Sequence, residues 1–117
     1  MKPLAAALGL GALALAATTA FAHHGWSGYD SGKELTLTGT IKDAGYEHPH
    51  GGVKLETPGK TWNVVLAPPS RMEFRGLSKE MLKPGAEASV EGYANRDKPE
   101  ELRAERITIQ GKTIELR

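Results

Sequence analysis

The chain has 117 residues, no cysteine, and 15 Lys and Arg against 14 Asp and Glu. Without cysteine neither a disulfide framework nor thiolate ligation of a metal is available, so any metal must be held by His, Met, carboxylate or backbone. The charges balance and are interspersed, which excludes the basic footprint of a nucleic-acid binder.

Met1-Lys2 supplies a positive start, Leu4 to Ala17 is apolar, and Ala20-Phe21-Ala22 has the form of a signal-peptidase site. This run falls short of the roughly 20 residues a membrane span needs. The expectation is a cleaved signal peptide over 1–22, a periplasmic or secreted mature chain starting at His23, and no membrane span in it. Residues 23–33 then form an N-terminal extension carrying the histidine pair and an aromatic anchor, and 34–117 form one small domain.

Glu34 to Ile41 alternates apolar and polar residues and is rich in Thr, the pattern of a half-buried strand. Val53 to Thr57 and Lys60 to Ala67 flank Pro58-Gly59, a pair suited to the centre of a type II turn, so they read as a hairpin with Trp62, Val64 and Leu66 on one face. Ser70 and Glu73 fit a capping box and Gly76 a helix stop, predicting a short helix over Pro69 to Arg75 with Met72 and Phe74 inward. Ser78 to Leu82 adds a turn before Lys83-Pro84-Gly85 reverses the chain. Ala86, Ala88, Val90, Gly92 and Ala94 alternate as a further strand. Leu102 and Ala104 are out of phase with Ile107 and Ile109, which predicts a bulge near Glu105-Arg106, and Gln110-Gly111 leads into a last strand through Ile114 and Leu116.

This order predicts an all-β domain with one short helix. A small OB-like barrel of five or six strands, with the helix between the third and fourth, is the first reading and a compact β-sandwich the alternative.

The four histidines form two clusters, His23-His24 and His48-Pro49-His50. Imidazole is the commonest metal ligand, and a free α-amine on His23 would let one residue grip an ion through two nitrogens. A histidine of the second cluster would complete a three-nitrogen site of the histidine-brace kind, which favours Cu(II). In extended chain, His48 and His50 face one side about 6.5–7 Å apart, and Pro49 biases His48 toward that conformation. Histidines after a cleavage site are also ordinary spacers, and His-Pro-His also reads as a solvated turn. Met72 and Met81 read as core. Tyr29, Asp30, Tyr46 and Glu47 are available to orient an imidazole from the outer shell, although packing or surface duty suits each of them. Trp26 and Tyr29, flexed by Gly25 and Gly28, suit burial against the domain, which would pin the terminus.

His23-His24-Gly25-Trp26 with Tyr29-Asp30, Leu37 to Ile41, Trp62 to Ser70, Lys83-Pro84-Gly85, Val90 to Tyr93 and Leu102 to Ile109 running into Leu116-Arg117 carry a resemblance. With these, the chain resembles a family of small exported bacterial proteins catalogued as a domain of unknown function. That resemblance implies one exported β domain and no particular ligand. A narrower likeness, a post-cleavage histidine plus one downstream, links the chain to periplasmic histidine-brace copper-binding proteins.

The function expected is therefore a periplasmic copper-binding protein, a carrier, buffer or sensor, with His23, His24, His48 and His50 as ligands, copper as the bound ion and a periplasmic protein as a possible partner. The alternative is a metal-free OB-like module that binds a peptide, glycan or envelope component through Trp62, Tyr93 and Arg71 or Arg75. No Ser-His-Asp arrangement, carboxylate pair or phosphate loop is legible, so no catalytic residue is assigned.

Overall fold

A computed structural model describes residues 25–117. The expected signal peptide and cleavage site, and His23-His24, lie outside the described residues. Six strands follow one another: β1 (Tyr29–Gly45), β2 (Gly52–Thr57), β3 (Lys60–Val65), β4 (Glu87–Asn95), β5 (Glu101–Ile109) and β6 (Lys112–Glu115). Between β3 and β4 come the helix α1 (Pro69–Phe74) and a short 3₁₀ helix at Lys79–Leu82. The all-β expectation holds, with the helical insert where it was expected.

The sheet runs β3-β2-β1-β4-β5-β6, and all these neighbours are antiparallel. One additional pairing is parallel: Asn63, Val64 and Val65 of β3 meet Glu101, Leu102 and Arg103 of β5. Hydrogen-bonded neighbours therefore run in a ring, β1-β2-β3-β5-β4 and back to β1, with β6 appended to β5. All six strands thus belong to one sheet, consistent with the all-β expectation. Ile41, Leu55, Val64, Val90, Leu102 and Ile107 fill the interior, and Met72, Leu77 and Leu82 from the helical insert close one end.

Local expectations fare unevenly. Gly59 sits at φ +79, as the third position of a type II turn demands, and Trp62, Val64 and Leu66 are buried together. The bulge falls at Glu105: Arg106 pairs with Glu91 and Ala104 with Gly92, leaving Glu105 unmatched in the ladder. Its carbonyl instead accepts the Leu116 N–H at 2.8 Å. The capping box is not formed. Pro68 is the N-cap and no side chain caps the helix, because Pro69 already occupies its first position and supplies the fixed φ that starts it. Phe74, expected inward, is 91% exposed, since a helix of this length turns only Met72 onto the core. β1 also starts at Tyr29 instead of Glu34. Only Tyr29 pairs before Glu34, with Asn95, and the intervening residues bow out around an Asp30 carboxylate that accepts the Gly32 N–H at 3.1 Å.

Candidate functional site

The loop between β1 and β2 carries Tyr46 to Gly51, and its ends are fixed by backbone bonds. Gly51 donates to the Ala67 carbonyl at 2.8 Å and accepts from the Leu66 N–H at 2.9 Å, so the loop is tied to the chain leaving β3. The Tyr46 hydroxyl donates to the Leu77 carbonyl at 2.5 Å, tying its other end to the helical insert. His48 and His50 are both exposed on this loop, joined through a cis His48-Pro49 bond. His50 lies at the rim of an open groove of about 460 Å³, whose walls include Asp43, Pro49, Lys54, Asn63 and Val65.

The residue that connects this loop to the N-terminal segment is Arg103, which was not singled out in the sequence. It stands on β5 within the short parallel pairing, opposite Val65 on one side and Tyr93 on the other. It is 9% exposed, the most buried charged residue among those described. Nη1 donates to the Gly25 carbonyl, and Nη2 lies 3.4 Å from His50 Nε2. Because guanidinium can only donate, this contact assigns the lone pair to Nε2 and the proton to Nδ1 of a neutral His50. The Arg103 Nε has no partner among the described residues.

Aromatic residues complete the arrangement. The Arg103 guanidinium lies 4.3 Å from the Trp26 ring centroid and 5.9 Å from that of Tyr29, and the Arg117 guanidinium lies 4.4 Å from Trp26. Trp26 meets Tyr29 and Tyr93, each with centroids 6.2 Å apart, in tilted and edge-on geometry. Such contacts contribute roughly 0.5–2 kcal/mol each. Trp26 therefore anchors the segment, as the residues suggested. Its carbonyl also accepts the Tyr29 N–H at 3.1 Å, and the Gly28 carbonyl accepts the Arg96 N–H at 2.9 Å.

Electrostatics at the loop follow from these neighbours. Burial, then the charges of Arg103 and Arg71, push the His50 imidazole below its usual range. Burial lowers the Arg103 guanidinium as well, and Arg71 and Arg117 act in the same direction. It remains a cation all the same. The Tyr29 phenol is pushed up, first by burial and then by donating to Glu101 Oε2 at 2.6 Å.

Four candidate ligands thus divide into two groups. His48 and His50 share one exposed loop, and His23 and His24 precede the anchored Gly25. Among the described residues no three His, Asp or Glu side chains gather as a metal site. The outer-shell candidates hold other partners: Tyr29 bonds Glu101, Asp30 bonds Gly32, and Tyr46 bonds Leu77. Glu47 is exposed, and Met72 and Met81 are core, as expected. No helix of the described residues is long and apolar enough to cross a membrane.

Comparison with protein-family models matches residues 11–103 to a family of unknown function, DUF6152. The chain belongs to this family. The matched span runs from the apolar N-terminal stretch through both histidine clusters to Arg103, and no activity is attached to it. No curated protein matches the chain.

Proposed function

We propose that the mature protein is a periplasmic or secreted metal-binding protein that holds copper between its N-terminal histidines and the His48-Pro49-His50 loop, as a carrier, buffer or sensor. The observation that carries this reading is the bridge through Arg103: one guanidinium contacts both the Gly25 carbonyl and His50 Nε2. His24 is one residue, and His23 two, from a backbone anchored next to His50. Successive Cα atoms are about 3.8 Å apart, so the length of chain between His23 and Gly25 permits such a site. A neutral His50 is in the protonation state that ligation requires, so proton competition at neutral pH is small. Copper on Nε2 would replace the long Arg103 contact at the same lone pair. His50, which Arg103 contacts at 3.4 Å, is the stronger ligand in this reading.

The test is Cu(II) titration of the secreted protein, with intact mass to fix the first residue and count bound ions. The expected result is one ion per chain, with affinity reduced at least about tenfold by His50→Ala and less by His48→Ala. An affinity unchanged in the double variant overturns the reading. A metal-free binding module remains the second reading, favoured by the open groove beside the loop. Trp62 cannot serve it as a stacking surface, being buried with the Lys60 ammonium 3.8 Å from its ring centroid.

A further inference from the structure

The protein treats its arginines in two opposite ways. On one face Arg106 is paired with three carboxylates from three strands, Glu34 at 3.3 Å, Glu91 at 2.8 Å and Glu115 at 2.9 Å. Beside the histidine loop, no described carboxylate lies within ion-pair distance of Arg103 or Arg71. Arg117 has one, Glu105 at 3.4 Å. These three guanidiniums are nonetheless held together: Arg103 and Arg117 on the same Trp26 ring, and Arg71 through its bond to the Leu116 carbonyl at 3.0 Å, next to Arg117. Carbonyl oxygens and a π face orient Arg71 and Arg103 without neutralising them, and Glu105 offsets part of the charge of Arg117.

Bringing three guanidiniums together with one carboxylate beside them is unfavourable, and the buried, unpaired Arg103 bears the larger share of the cost. We propose that Arg71, Arg103 and Arg117, together with His50 at their edge, form a site for an oxyanion, a phosphate or carboxylate group able to take two or more guanidinium N–H bonds. Guanidinium forks match such groups bidentately. Arg71, Arg117 and His50 are exposed, so the ligand enters from solvent, while Arg103 lies beneath with its orientation fixed by Gly25 and Trp26. The site needs no metal, and it competes with the copper reading, since both use His50 and the cations that attract an anion disfavour Cu(II) there.

The experiment uses chelator-treated, metal-free protein at low ionic strength, titrated with inorganic phosphate in one arm and with acetate and citrate in another, followed by amide NMR shifts. Saturable shifts centred on Trp26, His50 and Arg103 are expected, weakened at least about tenfold by combining Arg71→Gln with Arg117→Gln. Both positions are exposed, and a cooperative unfolding transition with dispersed amide signals verifies that the variant folds. Arg103→Lys, which keeps the charge and loses the fork, weakens binding as well. Tighter phosphate than carboxylate binding identifies a phosphorylated ligand, and the reverse order an acidic one. Shifts no larger than those from chloride at equal ionic strength, or shifts undiminished in the double variant, overturn the proposal. Copper binding that fails while phosphate binds removes the metal reading alone.

Discussion

At the scale of single residues, Arg103 and His50 are the informative pair. His50 was legible in the sequence because His-Pro-His stands out in any chain. Arg103 was not, because an arginine between Leu102 and Ala104 reads as the solvent-facing member of an alternating strand. Its burial follows from the ring closing across β3 and β5, a long-range contact that no local pattern announces. The pH behaviour of His50 can be worked out from its environment. Its folded pKa lies below the unfolded value near 6.5, so the unfolded chain binds the proton more readily. The stabilising contribution is therefore present above the unfolded value and is lost as pH falls from it through the lower folded value. An NMR titration of His50 should show a midpoint below 6.5 that moves upward in Arg71→Gln. Thermal unfolding of wild type and His50→Gln should converge between about pH 8 and about pH 5. A second outcome concerns the clasp itself. Arg103→Met keeps the volume and removes the hydrogen bonds, so the Tyr29 amide, bonded to the Trp26 carbonyl, should exchange faster. Global stability should move by no more than about 1–2 kcal/mol, because relief from burying an uncompensated charge offsets the lost contacts.

At the scale of elements, strands were read well wherever alternation was clean, and the helix less well. Phe74 looked like core because apolar residues usually are, but six residues of helix present one inward position and Met72 takes it. The β5 bulge was visible as a phase shift between Ala104 and Ile107. A second irregularity, the unmatched Lys42 in β1, carried no such mark, because Ile41 and Asp43 do not break an apolar run. Strand crossings impose their own demands. A Cβ at Gly39 would collide with the Glu56 carbonyl, and one at Gly92 with the Arg103 carbonyl. Neither obstacle is a flexible side chain, so relief requires the strands to part. Gly39→Ala and Gly92→Ala should each cost about 1–3 kcal/mol, measured by denaturant unfolding. Gly92→Ala should also loosen the Tyr29 amide, since it pushes on the backbone that carries the Arg103 clasp.

At the scale of the whole molecule, the ring is held unevenly. β1 and β4 share eight paired positions, whereas β3 and β5 share three. Asn63 adds one more bond across this seam, donating to the Glu100 carbonyl at 2.7 Å. The seam is therefore the expected site of first opening, and its amides should exchange faster than those of β1 and β4. Arg103 belongs to the seam by its backbone and to the terminus by its side chain. A ligand bound beside His50 as proposed would therefore also suture the wall of the domain. A ligand that binds only the closed form adds stability that rises with its concentration, about 2.7 kcal/mol at a hundredfold excess over its Kd. Slower exchange at Val65 on loading would report occupancy from inside the sheet. A seam that stayed as open when loaded as when empty would separate the two roles of Arg103. As built, the β3–β5 seam and the N-terminal segment are fastened by a single residue, so loss of one attachment loosens the other.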